Sequence, residues 1–83
     1  MASTLAIVAV DYSSAVSQTT ILCFKSNRVN MVIPRAWRSD GSFDPNVLNN
    51  ILAARNAGIT YLDIYMFPCR GMSATNQVND LIA

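Results

Sequence analysis

The chain has 83 residues, of which 52% are hydrophobic and 13% charged, with a net charge of +1. That composition argues against disorder and against a polyanionic partner. The chain contains no His and no Glu, which excludes imidazole base catalysis, His metal ligation and Ser-His-Asp triads and leaves acid-base chemistry to Asp11, Asp40, Asp44, Asp63 and Asp80.

The opening "MASTLAIVA" lacks the basic region and the apolar length of a signal peptide and reads as the lead-in to a strand. Leu5 to Val10 is a continuous apolar run that stops at Asp11, which predicts a first strand buried on both faces. Ser17 is an N-cap candidate, and Ile21, Phe24 and Arg28 share a face. A helix over about residues 18 to 27 follows, with Lys25 and Arg28 at its negative end. The run Met31 to Trp37 predicts a second strand, in which Pro34, unable to donate to a ladder, marks an edge position, a bulge or a break.

After the polar turn "RSDGS", Asp44 as N-cap, Pro45 at the first helical position and Gly58 past the end delimit a second helix. Its inner stripe is read as Val47, Leu48, Ile51 and Leu52, with Asn49, Asn50 and Asn56 off it. Tyr61 to Phe67 predicts a third strand, stopped by Pro68. Ser73 then caps a third helix with Ala74, Val78, Leu81 and Ile82 inward.

The predicted order is βαβαβα with short connections, an α/β class built on a parallel sheet with right-handed crossovers. Residues 1–83 form one partial domain, since no linker is visible and the third helix runs on without a stop signal, the pattern of a fragment. Ligands of parallel α/β sheets sit beyond the carboxyl ends of the strands. Asp11, Arg35, Trp37, Arg38, Tyr65 and Phe67 all fall at those ends, and an acid, guanidinium groups and aromatic rings suit a sugar.

The plainer uses of these residues are equally specific. Asp44 reads as a helix cap, Asp40 as a turn residue and Asp80 as part of a solvated helix face. Asp63 lies in step with Tyr61 and Tyr65 and suits a buried pair with an Arg as well as a site. Trp37, Tyr65 and Phe67 are residue types that more often pack than bind.

The two cysteines, Cys23 and Cys69, are too far apart in the chain for a C-x-x-C metal site. They fit either two buried thiols in a reducing compartment or one disulfide in an oxidising one. No metal or cofactor is expected. The arginines are scattered rather than massed, so nucleic acid is not an expected partner, and no apolar run reaches the roughly 18 residues of a membrane span.

The stretches "VDYSSAVS", "IPRAWRSDGSFDPN", "NNILAARNAGI" and "DIYMFPCRGMSATNQVNDLI" together resemble the lysozymes of glycoside hydrolase family 25, particularly the secreted type of protists and nematodes. The resemblance covers nearly the whole chain. It implies a TIM-like (β/α) barrel muramidase that cleaves the β-1,4 glycosidic bond of bacterial peptidoglycan, of which these residues are the first three βα units.

Asp11 matches the family's carboxylate after the first strand, whereas the family's Asp-x-Glu on a fourth strand has no counterpart here. The resemblance therefore implies an isolated chain without activity, because glycoside cleavage needs a second, protonated carboxyl group. It further implies Arg35, Trp37, Tyr65 and Phe67 as rim residues beside the saccharide, a Cys23–Cys69 disulfide, and a secreted, lysosomal or phagosomal location. Open sheet edges would invite self-association. The rival reading is a non-catalytic module that binds peptidoglycan or another chain.

Overall fold

A computed structural model describes residues 7–83. In chain order its elements are β1 (Ala9–Tyr12), α1 (Gln18–Ser26), β2 (Met31–Arg38), β3 (Ser42–Phe43), α2 (Val47–Asn56), β4 (Tyr61–Leu62), β5 (Tyr65–Met66) and α3 (Ala74–Ile82). The sheet is open and mixed. β1 runs parallel to β2 on one side, with Asp11 opposite Ile33 and Tyr12 opposite Pro34, and β4 and β5 run parallel to it on the other. The βαβαβα order therefore stands, with one antiparallel hairpin added.

That hairpin joins β2 to β3 through Ser39, Asp40 and Gly41, and Arg38 faces Ser42 across it. Gly41 takes φ +83°, the left-handed residue that closes a three-residue hairpin loop, and Asp40 Oδ1 accepts from Ser42 N at 3.1 Å. Two paired residues are too few to leave an alternation in the sequence, which is why "RSDGS" reads only as a turn.

Pro34 lies neither at an edge nor at the end of its strand; β2 is the central strand and Pro34 is buried within it. The interruption appears in the neighbouring strand instead. Asp63 N donates to Val32 O at 3.1 Å, and a regular parallel ladder would return a bond from residue 34 to the carbonyl of Asp63. Proline has no N–H to give, so pairing lapses between β4 and β5 although Leu62 opposite Val32 and Tyr65 opposite Arg35 keep the same offset. Asp63 thus sits in a gap, exposed, with Oδ1 accepting from Ile64 N at 2.8 Å, rather than in a buried pair with an arginine. Between Arg35 and Trp37 the register slips by a bulge, which turns Trp37 onto the other side of the sheet from Arg35.

The helices cover one face. Ile21 of α1, Val32 of β2 and Ala54 with Ala57 at the end of α2 form the buried cluster, flanked by Tyr12, Phe24 and Leu62. The small alanines let α2 lie close to the strand. β1 is consequently not buried on both faces: Val10 and Tyr12 are half-buried toward the helices, while Ala9 and Asp11 are exposed. Leu5 and Ala6, the start of the expected first strand, lie outside the described residues.

Ser17 caps α1, its Oγ accepting from Thr20 N, and Ser73 caps α3 by accepting from Asn76 N. The inner stripes differ from expectation. On α2, Leu48 and Leu52 are 64% and 47% exposed while Asn50 is buried. Asn50 Oδ1 accepts from Val16 N at 2.9 Å and its Nδ2 donates to Ser14 O at 3.0 Å, so an amide that saturates a loop takes the inward position. On α3, Gln77 is buried and Leu81 half-buried, whereas Ala74, Val78 and Ile82 are exposed.

Candidate functional site

The face of the sheet opposite the helices carries the candidate site. Alternation along β2 turns the half-buried Met31, Ile33 and Arg35 toward it and the buried Val32, Pro34 and Ala36 toward the helices. Register then brings Asp11 of β1 beside Ile33, and Tyr65 of β5 beside Arg35. Neighbouring strands lie about 4.8 Å apart and residues rise about 3.3 Å each, so the Cα atoms of Asp11 and Arg35 are roughly 8 Å apart. Asp11, Arg35 and Tyr65 share this face at the carboxyl ends of the parallel strands.

Arg35 is fixed from below. Its Nε donates to Asp44 Oδ2 at 2.7 Å, and the Asp44 side chain is only 1% exposed. The other oxygen of Asp44 accepts from Asn46 N at 2.8 Å. Asp44 is therefore an Asx-turn residue and not the expected N-cap: Asn46 directly precedes α2, no side chain among the described residues caps that helix, and Pro45 stands outside it. Burial pushes the carboxyl of Asp44 up, but the Asn46 amide, the Arg35 hydrogen bond and the charges of Arg35 and Arg38 outweigh it and hold the group below the ordinary carboxylate range.

Trp37 is not on this surface. It is 3% exposed on the helix side, edge-on to Phe43 with ring centroids 5.1 Å apart, and its Nε1 donates to Gln77 Oε1 at 2.9 Å. A buried indole with its N–H engaged offers no face to a sugar, so Trp37 belongs to the core. Phe67 remains 55% exposed at the end of β5, its N donating to Trp37 O at 2.9 Å. Arg38 turns away to the hairpin, where its Nη2 lies 3.4 Å from Asp40 Oδ2 and 2.8 Å from Ser42 Oγ.

Gln77 and Asn50 escape sequence reasoning. Gln77 Oε1 accepts from both Trp37 Nε1 and Cys69 N, and its Nε2 donates to Cys69 O at 3.0 Å. It thereby ties the loop after β5 to the core, and Asn50 does the same for the loop after β1. Both support the rim loops rather than touch the surface. No spacing rule marks a polar residue for this task.

The Cys23–Cys69 disulfide is not formed; both cysteines are free. Cys23 is exposed on α1 well beyond its first turn, while Cys69 follows β5 beside the amide of Gln77 at the rim end of the sheet. At the opposite end of the strands, a cavity of about 170 Å³ is lined by Lys25, Arg28, Val29 and Ile59, with Lys25 Nζ donating to Ala57 O at 3.1 Å. These cations answer the negative ends of two helices. That arrangement belongs to helix termination and not to the candidate site. Among the described residues no three metal-ligating side chains converge, and no helix is long and apolar enough to cross a membrane.

A family profile described as Lysozyme-like protein 1 matches residues 2–83. The chain belongs to this lysozyme-like family. It is 47% identical over 64 residues to the "Probable GH family 25 lysozyme 2" of Dictyostelium discoideum, a match covering 77% of this chain and 30% of the relative. It is 42% identical over 72 residues to "Lysozyme-like protein 5" of Caenorhabditis elegans, covering 83% and 34%. A third relative, "Probable GH family 25 lysozyme 5" of Dictyostelium discoideum, is 37% identical over 62 residues. The lysozyme-like chain spans about a third of the length of these relatives. No solved structure shows a significant match.

Proposed function

We propose that the chain supplies the first three βα units of a (β/α) barrel that hydrolyses the β-1,4 glycosidic bond of peptidoglycan, with Asp11 as its contribution to the catalytic machinery. The observation that carries this reading is the position of Asp11: exposed, at the carboxyl end of β1, on the helix-free face beside Ile33, in a chain of the lysozyme-like family. The Asp11 carboxylate would stabilise the oxocarbenium-like transition state and orient the sugar, with Arg35, Tyr65 and Phe67 lining its approach.

Expulsion of the leaving-group oxygen requires a protonated carboxyl group on the other side of the bond. Three of the remaining aspartates are committed or remote: Asp44 to Arg35, Asp40 to the hairpin, Asp80 on α3. Asp63 is tied to its own turn. The proton donor is therefore assigned to residues beyond these 83, and the chain alone is expected to bind cell walls without cleaving them. Exposed strand edges at β1 and β5 are the surfaces through which further units, or a second copy, would join.

A chimaera tests this. The chain replaces the matching segment of the Dictyostelium discoideum lysozyme 2 relative, and release of reducing ends from purified cell walls is measured. Turnover that falls at least about 100-fold with Asp11→Asn is the expected result. Turnover indifferent to Asp11→Asn overturns the assignment, and wall binding without turnover in the chimaera favours the non-catalytic module.

A further inference from the structure

We infer that Arg35 is a recognition residue for a carboxylate carried by the glycan substrate, and that the buried Asp44 is the positioning residue that aims it. The inference rests on the reading of this face as a saccharide site. It begins from how Asp44 divides its two oxygens. One accepts from the backbone N of Asn46 at 2.8 Å and the other from Arg35 Nε at 2.7 Å, with the side chain 1% exposed. The first bond anchors the carboxylate to the chain that leads into α2, so the second tethers the guanidinium at its Nε edge.

Arg35 carries five N–H donors. Only the one on Nε is engaged; among the described residues neither Nη1 nor Nη2 has a hydrogen-bond partner or an ion pair. The side chain is 25% exposed, so that free edge meets solvent on the face it shares with Asp11 and Tyr65.

An Asx turn alone does not account for this. Such a turn uses one oxygen and is served equally well by an exposed Asn or Ser. Nor does stability account for it, since a buried ion pair roughly breaks even against apolar packing. Direction does. A guanidinium held at Nε and open at both Nη groups presents the two parallel donors that a carboxylate accepts in bidentate fashion. It also puts a cation on the same face as Asp11, two residues along β2 from Ile33 opposite it, which offsets the repulsion an anionic substrate would otherwise meet there.

Two sources offer such a carboxylate: the lactyl acid on a muramic acid ring, and the acids of a peptide attached to it. Binding to the chain is measured by amide chemical-shift titration with four probes: a neutral N-acetylglucosamine oligomer, a peptide-free muramic acid glycan, its methyl ester, and a peptide-bearing glycan. The expected result is binding of the free acid, or of the peptide-bearing glycan, about tenfold tighter than of the ester, with the preference lost in Arg35→Gln and reduced in Arg35→Lys, which keeps a charge for Asp44 but not the fork.

Asp44→Asn, with folding checked by its amide spectrum, is expected to narrow the acid-to-ester ratio, whereas a merely structural role weakens both ligands alike. Preference for the free acid over the ester assigns the sugar's own carboxylate; preference for the peptide-bearing glycan alone assigns the peptide. Equal affinity for acid, ester and peptide-bearing glycan, or a preference that survives Arg35→Gln and Arg35→Lys, overturns the inference while leaving the saccharide site standing. Failure of every probe, the neutral oligomer included, removes the saccharide site and the inference with it.

Discussion

Arg28 and Gly58 occupy the same place after successive helices, with φ of 70° and 78°. The hydrogen bonds around them match: Arg28 N to Lys25 O and Val29 N to Phe24 O after α1, Gly58 N to Arg55 O and Ile59 N to Ala54 O after α2. This is the Schellman closure, whose left-handed position normally falls to glycine. Arg28 adopts it at a cost, and its charge at the helix end repays part of that cost.

Two substitutions separate strain from charge. Both Arg28→Gly and Arg28→Ala remove the charge, but only glycine removes the Cβ, so the glycine variant is expected to be about 1 kcal/mol more stable than the alanine variant. Gly58→Ala should cost a similar amount, with Lys25 Nζ only 3.2 Å from the added Cβ. Urea melts of the three variants measure both differences. Equal stability of the two Arg28 variants would show that the left-handed turn stores no strain.

Tyr12 packs against Phe24 with ring centroids 6.4 Å apart, and its hydroxyl is buried with no hydrogen-bond partner among the described residues. An unpaired buried donor costs about 1–3 kcal/mol. Tyr12→Phe keeps the ring and removes the penalty, so the variant should melt higher than the parent. Burial also pushes the Tyr12 phenol above its ordinary value of 10.0. In an ultraviolet titration of the folded chain, the absorbance change lost in Tyr12→Phe should therefore fall on the alkaline side of the ordinary phenol value.

The Gln77 side chain engages five groups at once, so its loss should be felt beyond its own volume. Gln77→Leu strands Trp37 Nε1–H and the backbone N–H and C=O of Cys69, and is expected to cost about 2–4 kcal/mol. Gln77→Glu preserves the acceptor but aims a second oxygen at the carbonyls of Cys69 and Met72. That variant should be more stable in mild acid, where the carboxyl keeps a proton to donate, than at neutral pH. Tryptophan fluorescence during unfolding reads both, since Trp37 is the chain's single indole.

Local signals are legible in the sequence and long-range ones are not. The caps at Ser17 and Ser73 and the stop at Gly58 depend on residues within one turn, and each functions as its type dictates. Which stripe of α2 and α3 faces inward does not follow from hydrophobicity, because Asn50 and Gln77 are drawn in by backbone groups from distant loops while Leu48 and Leu52 stay out. The removal of Trp37 from the rim has the same character: a one-residue bulge reverses the side it faces, and bulges are fixed by strand pairing. Pro34 was legible as a disturbance, but its effect falls on the partner strand. That Asp11, Arg35 and Tyr65 share a face needs the register of three strands, which the expected βαβαβα order orients without specifying.

The Arg35–Asp44 pair makes a last prediction about acid. The folded state holds the Asp44 carboxyl below its ordinary value, despite burial, through the Asn46 amide and the two arginines. A depressed carboxyl binds fewer protons when folded than when unfolded, so its contribution to stability is complete above the unfolded value of about 3.9 and fades as pH falls through the folded one. Asp44→Asn should therefore flatten the loss of stability below about pH 4. Asp40 is also lowered, chiefly by the Ser42 hydroxyl, but is exposed on the hairpin, and Asp40→Asn should leave the acid limb nearly unchanged. The two partners of the pair are not equivalent at neutral pH. Asp44→Asn leaves a partly exposed arginine that water can solvate and an amide oxygen that can still accept from Asn46 N, whereas Arg35→Gln leaves a buried carboxylate without its cation. The arginine variant should thus be less stable by about 2 kcal/mol at pH 7, with the gap closing in acid as Asp44 takes up a proton. Melts at pH 7 and pH 3 measure that gap; a gap that does not close in acid would mean the lost arginine acts through its packing and not its charge.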